Sequence, residues 1–284
     1  MSNILQKEMW NGRAGESWVR HNSLLEQLLA EPGRECMNLL PLTPAMQILD
    51  VGCGCGNQTL ELAARLDASS TVIGVDISEP MLGLARELKA ANDNALSAEV
   101  QFALGDASEP LFDEASFDAI YSRFGVMFFE EPVAAFSALR NSLKPGGKLG
   151  FVCWREPKLN PFFNAPMEAA LTVLPAPAPS APGAPGPFGL ADDNVIHTTL
   201  RLAGFKDVSV TPLNLTLSVG AETPFDALFE ELIQIGPAAA LIAQSNPSLK
   251  EKAREAVYNR LTDFYASGQG VSFDANFWLV TARN

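Results

Sequence analysis

Apolar positions along the chain switch between two periods. Ile48, Leu49 and Val51, and then Val72, Ile73 and Val75, form short runs rich in β-branched residues. Val100 to Leu104 alternates apolar with polar, and all three stretches read as strands. Between them, Leu60, Ala63, Ala64 and Leu66, and later Met81, Leu82, Leu84, Ala85 and Leu88, recur at the spacing of an amphipathic helix. Phe117 to Ser122 and Lys148 to Trp154 continue the series as the fourth and fifth strands. A helix opened by Pro132 and a tight turn at Lys144 to Gly147 lie between them. Strands alternating with helices in this way predict a parallel sheet covered on both faces.

The first predicted strand runs through Asp50 into Gly52, Gly54 and Gly56. A strand, a glycine turn and a helix N-terminus bring bare backbone N–H groups close to a ligand. The spacing departs from the dinucleotide fingerprint, which needs glycines at the first, third and sixth positions. Counted from Gly52 the sixth position is Asn57, and counted from Gly54 it is Thr59. A nicotinamide-dependent oxidoreductase is therefore disfavoured. The second strand closes on Asp76, whose two oxygens can each accept from one ribose hydroxyl. Ser78 is available to cap the next helix, opened by Glu79 and Pro80, which leaves Asp76 for a ligand.

Asp50 with its glycine run, Asp76, Gly105-Asp106-Ala107 and the Pro-Gly-Gly turn before the fifth strand stand in an order that resembles the class I S-adenosylmethionine (SAM) dependent methyltransferases. Within them the chain is most similar to the small-molecule branch of the ubiquinone and menaquinone methyltransferases. The resemblance spans Ile48 to Trp154. It implies an α/β, Rossmann-like sheet of seven mostly parallel strands with helices on both faces and the last strand antiparallel beside the fifth. It implies SAM as cofactor, with Asp50 near the ligand's amino acid end and Gly52, Cys53 and Gly54 forming the turn against it. Asp76 takes the ribose, with Ile77 and Met81 beside it. Asp106 accepts from the adenine amino group, and the Ala107 N–H donates to a ring nitrogen. Ser122 and Arg123 are expected to line the cofactor pocket, and Phe124, Met127 and Trp154 the acceptor wall, while Phe128 and Phe129 anchor the following helix.

Residues 1–45 read as a helical lid with Trp10 and Trp18 over the cofactor, the alternative being that these rings pack on the core; Pro32-Gly33 is expected to break its helix. Residues 46–284 form the SAM-dependent domain, with two elaborations expected to cap the acceptor site. One is 155–190, which carries six prolines between Pro175 and Pro187, and the other is the helical stretch 221–268. Val208 to Val219 alternates but slips phase at Pro212, predicting one long strand with a bulge or two short ones. Ala275 to Thr281 is the last strand.

Charge and composition narrow the partners. A net charge of −13 repels phosphate backbones and favours a cationic ligand such as a sulfonium. After the fourth strand stands Tyr-Ser-Arg-Phe rather than an Asn-Pro-Pro-Tyr-like tetrapeptide, which argues against the family's DNA-adenine and protein-glutamine branches. Four cysteines make no disulfide framework, and Cys53 and Cys55 lack the second pair a zinc site needs. No metal is expected. Of the two histidines, His21 in the lid is the one candidate general base. With no leader pattern at Met1 to Trp10 and no apolar run of about 20 residues, the chain is expected to be cytoplasmic. The expected function is methyl transfer by in-line displacement to a small hydrophobic or aromatic acceptor; the alternative is a SAM-binding regulator or partner subunit without transfer.

Overall fold

Five strands form the parallel core of the sheet: β1 (Gln47–Val51), β2 (Thr71–Asp76), β3 (Glu99–Leu104), β4 (Phe117–Arg123) and β5 (Leu143–Trp154). The structure, a computed structural model, describes residues 3–92, 96–178 and 183–284. Strands β1 and β4 are buried along nearly their whole length, as strands covered on both faces should be. The spatial order is β3-β2-β1-β4-β5-β8-β6, with β6 (Lys206–Val219) and β8 (Gly270–Arg283) closing the far side. β8 runs antiparallel to both β5 and β6. The two-residue strand β7 (Tyr265–Ala266) pairs with β8 as an eighth member, one more than the seven expected. The strand order reverses between β1 and β4, and in such sheets ligands bind outside the carboxyl ends of the strands at that point.

Helices α1 (Ile4–Asn11), α2 (Arg13–Arg20) and α3 (Asn22–Met37) precede the sheet. α3 lies against β4, β5, β6 and β8 and buries Leu24, Leu25, Leu28, Cys36 and Met37, which leaves only α1 and α2 for the expected lid. Pro32 and Gly33 do not break α3, contrary to expectation. A proline inside a helix removes one N–H and crowds the preceding turn. Here the nearby carbonyls find side-chain donors: Arg123 Nη1 donates to Leu29 O at 3.0 Å and Tyr121 OH to Gly33 O at 3.1 Å.

The remaining helices are α4 (Asn57–Ala64), α5 (Glu79–Asn92), α6 (Pro132–Ser142), α7 (Pro161–Leu171), α8 (Asp193–Leu202), α9 (Phe225–Leu232), α10 (Gly236–Gln244) and α11 (Pro247–Leu261). The expected turn at Lys144 to Gly147 lies inside β5. The register jumps from Phe117 opposite Leu143 to Ala119 opposite Lys148, so the Pro-Gly-Gly segment is accommodated as a bulge. β6 is one long strand, and Pro212 sits in register opposite Trp278; its irregularity falls between Lys206 and Ser209 instead. Much of 155–190 is helical through α7, and α7 packs against α10 and α11 of the 221–268 segment. Residues 179–182 of the proline-rich stretch, and Asp93 and Asn94 at the expected end of α5, lie outside the described residues.

Candidate active site

Three alternate glycines bend the chain from β1 into α4. Gly52, Gly54 and Gly56 have φ of 67°, 56° and 79°, a left-handed conformation that side chains disfavour. Gly52 is also sterically required, since a Cβ there would stand 2.6 Å from the Gly125 Cα. The N–H groups of Gly52 and Cys53 both donate to Val75 O, which folds the turn onto the end of β2. Asp76 clamps the same turn: its Oδ2 accepts from Gly54 N at 2.8 Å and its Oδ1 from Ser78 N at 2.9 Å. Each carboxylate oxygen has capacity left for a further donor. Ser78 caps α5 through Met81 N, as expected, and its hydroxyl donates to Trp10 O of the lid at 2.6 Å.

Around this turn lies a cleft of about 630 Å³. It is lined by Asp50, Gly52, Cys53, Gly54, Asp76, Ile77, Met81, Asp106, Ala107 and Arg123, with Trp10 and Trp18 above and Phe124, Met127 and Trp154 toward the other end. Two of the expected residues are not there. Ser122 is fully buried, donating to Val51 O at 2.8 Å and accepting from Gly125 N at 3.2 Å, so it ties the tip of β4 to β1. His21 is buried at the junction of α2 and α3, with Nδ1 3.9 Å from Glu231 Oε2, and does not line the cleft. Its position as the residue between two helices turns it toward α9.

The three acidic residues have different environments. Asp50 is 1% exposed and accepts from Thr59 Oγ1 at 2.6 Å. Burial pushes its carboxyl up to about 7, a rise that Thr59 and Arg123 oppose and Asp76 reinforces. Burial also raises Asp76, against the backbone N–H groups of Ser78 and Gly54. Burial would raise Asp106 too, but its bonds from Ser108 and the ammonium of Lys7, 3.3 Å away, hold it below the ordinary carboxylate value. Burial likewise pushes up the Cys53 and Cys55 thiols, so neither is a ready nucleophile. Arg123 is held by Glu26 at 2.9 Å and stands as a fixed cation behind Asp50.

The lid is fastened over the strand tips. Asn11 donates to Ile77 O at 2.7 Å and accepts from Glu79 N at 3.0 Å, so α1 supplies a cap to α5. Trp10 meets Trp18 and Phe128 edge-on at 5.9 and 5.2 Å. Phe128 therefore faces the cleft as well as anchoring the chain, and Phe129 also lines it while packing edge-on against Phe136 of α6. Facing the strand tips, Phe124 stacks on Trp154 at 5.2 Å and 14°, and Trp154 on Phe162 at 6.2 Å and 10°. Phe163 closes edge-on at 4.8 Å, and Ile235, Pro237 and Ala239 complete the rim. Phe162 and Phe163 were not anticipated. The Asn-Pro-Phe-Phe run just past the fifth strand was the available signal, a helix start carrying two aromatics toward the strand ends.

The cleft offers a SAM-sized ligand carboxylate acceptors at Asp50, Asp76 and Asp106. The glycine turn lies close against its neighbours, since a Cβ at Gly52 would meet Gly125 and one at Gly54 the end of Met81. The residues that would hold the cofactor are Asp50, the turn Gly52 to Gly54, Asp76 and Asp106.

The model of a methyltransferase domain matches residues 48–147. The chain is 30% identical over 183 residues to demethylmenaquinone methyltransferase of Lactobacillus johnsonii, covering 59% of this chain and 70% of that one. It is 33% identical over 135 residues to phosphoethanolamine N-methyltransferase 3 of Arabidopsis thaliana, covering 48% of this chain. It spans only 25% of that plant protein's length. Among solved structures, the cyclase SpnF superposes with a TM-score of 0.55 at 20% identity, covering 95% of each chain, a likeness of fold alone.

Proposed function

The chain belongs to the class I SAM-dependent methyltransferases, and we propose that it is an enzyme that methylates a small hydrophobic or aromatic acceptor. SAM, the family's cofactor, supplies an electrophilic methyl group on a sulfonium. Asp50 and the glycine turn hold its amino acid end, Asp76 its ribose and Asp106 its adenine. Trp10 and Trp18 close over it and exclude water, and Phe124, Met127 and Trp154 orient the acceptor from the opposite side. Orientation of this kind can be worth about 7 to 11 kcal/mol of the barrier. His21, which stands against Glu231 and outside the cleft lining, is assigned no proton transfer.

One observation carries the acceptor class: the wall facing the strand tips is the stack Phe124, Trp154 and Phe162, bordered by Phe163, Ile235 and Pro237. These side chains carry no charge, so a planar apolar acceptor loses little on leaving water there. A phosphate-bearing acceptor, such as the plant relative's name indicates for that protein, would lack a buried cation at this wall. The name of the Lactobacillus relative supports a quinone-type acceptor. Release of S-adenosylhomocysteine from SAM is the assay, run on quinols, catechols and simple phenols beside phosphoethanolamine. Turnover with aromatic acceptors is expected. Turnover with phosphoethanolamine alone would overturn the acceptor class, and tight SAM binding without turnover on any acceptor would favour the regulator reading.

A further inference from the structure

Two buried side-chain acceptors lining the cleft, Asn3 Oδ1 and Gln6 Oε1, have no hydrogen-bond partner among the described residues, and a third, Asp106 Oδ2, has only the ammonium of Lys7 against it. Asn3 is 8% exposed. They come from opposite sides of the cleft, the loop after β3 and the first turn of α1. Lys7 brings these together, because its ammonium lies 3.3 Å from Asp106 Oδ2 and its N–H donates to Asn3 O. Asn3, Gln6 and Trp10 recur at the spacing of one helix face, and all three line the cleft. A buried acceptor left without a donor is costly, and acceptors grouped on a cleft wall suit a ligand that brings donors.

We infer that the Asn3 and Gln6 amides are a second half of the purine subsite, reading the 6-amino group from the lid. An aromatic amino group has two N–H bonds. Asp106 accepts one, and the lid amides accept the other. The cofactor would then be recognised by the lid through hydrogen bonds as well as by aromatic cover, and a purine with hydrogen in place of the 6-amino group would lose the bonds on both sides. This rests on the proposed placing of adenine beside Asp106.

Calorimetric titration of the full chain with S-adenosylhomocysteine and with its 6-deamino counterpart, which carries hydrogen in place of the amine, tests it. The Asn3→Ala/Gln6→Met double variant should bind S-adenosylhomocysteine roughly 2- to 10-fold more weakly and the 6-deamino counterpart unchanged, so the preference narrows. Gln6→Glu, which keeps a side-chain acceptor, should keep the preference. Equal losses on both ligands, which a merely loosened lid would give, or no loss on either, would overturn the inference. Asp106→Ala separates the two levels. If it narrows the preference while the lid variants do not, only the lid assignment falls; if it leaves the preference intact, the placing of adenine falls as well.

Discussion

Replacing Asp50 by Asn should change how stability depends on pH by an amount the burial of this carboxyl sets. In the fold the group titrates near 7, raised by burial from an ordinary value of 3.8. Between those two values the native protein holds a proton that the unfolded chain has released. The contribution of Asp50 to stability is therefore largest at low pH, declines as pH rises toward 7, and is constant above it. One pH unit corresponds to about 1.4 kcal/mol, so from pH 5 to pH 8 the wild type should lose about 2.7 kcal/mol relative to Asp50→Asn. The amide oxygen of Asn can still accept from Thr59, and Asp76 titrates in both proteins, so the difference curve isolates position 50. Urea unfolding of both at pH 5, 6, 7 and 8 measures it. A difference that stays flat within about 0.5 kcal/mol would refute the buried, proton-holding carboxyl. The same reasoning reaches the ligand. An ammonium group beside Asp50 favours its ionised form. At pH 6 S-adenosylhomocysteine binding should release a proton in the wild type and not in the variant, read as a dependence of the calorimetric heat on buffer.

Two further outcomes follow from backbone geometry. Gly52→Ala forces a Cβ against Gly125 at a φ of 67° and should cost about 2 to 5 kcal/mol by urea unfolding, with S-adenosylhomocysteine binding lost; a fully stable variant would show that the turn can relax. Phe124 holds a φ of 63° while its ring stacks on Trp154, a conformation that strains any residue but glycine. Glycine is ordinarily less favourable than alanine by about 0.5 to 1 kcal/mol, so Phe124→Gly melting above Phe124→Ala is the expected reversal, and the ordinary order would refute the strain.

The acidic, glycine-rich half of the cleft was legible because its chemistry is local. Asp50, Gly52, Gly54, Asp76 and Asp106 each stand at a strand end whose apolar run can be read within a few residues, and each lines the cleft. Ser122 failed by parity: β4 is buried on both faces, so no polar–apolar alternation distinguishes it from Arg123, one residue on, which does face the cleft. His21 failed because a junction between helices sets a direction that neither helix's period encodes. Pro32 obeyed its local rule less than its tertiary setting, since the helix it stands in is packed on the sheet and tied there by Arg123 and Tyr121, which donate to Leu29 O and Gly33 O.

The aromatic half of the cleft illustrates a more general limit. Its wall joins the end of β4, the end of β5, the start of α7 and the start of α10, and it uses Phe, Trp, Ile, Pro and Ala. Each segment alone is indistinguishable from a helix or strand burying its apolar face, which is how most such residues are spent. A polar residue at a strand tip violates that expectation and so announces a ligand; an aromatic residue in an apolar stripe satisfies it, so Phe124, Met127 and Trp154 were expected only from their places at strand ends, and Phe162 and Phe163 on α7 were missed. Only assembly separates the two uses, because the parallel stack of Phe124, Trp154 and Phe162 comes from segments about 30 and 8 residues apart in the chain. Cofactor identity can therefore be written in motifs, while acceptor identity is written in the shape that distant apolar segments make together.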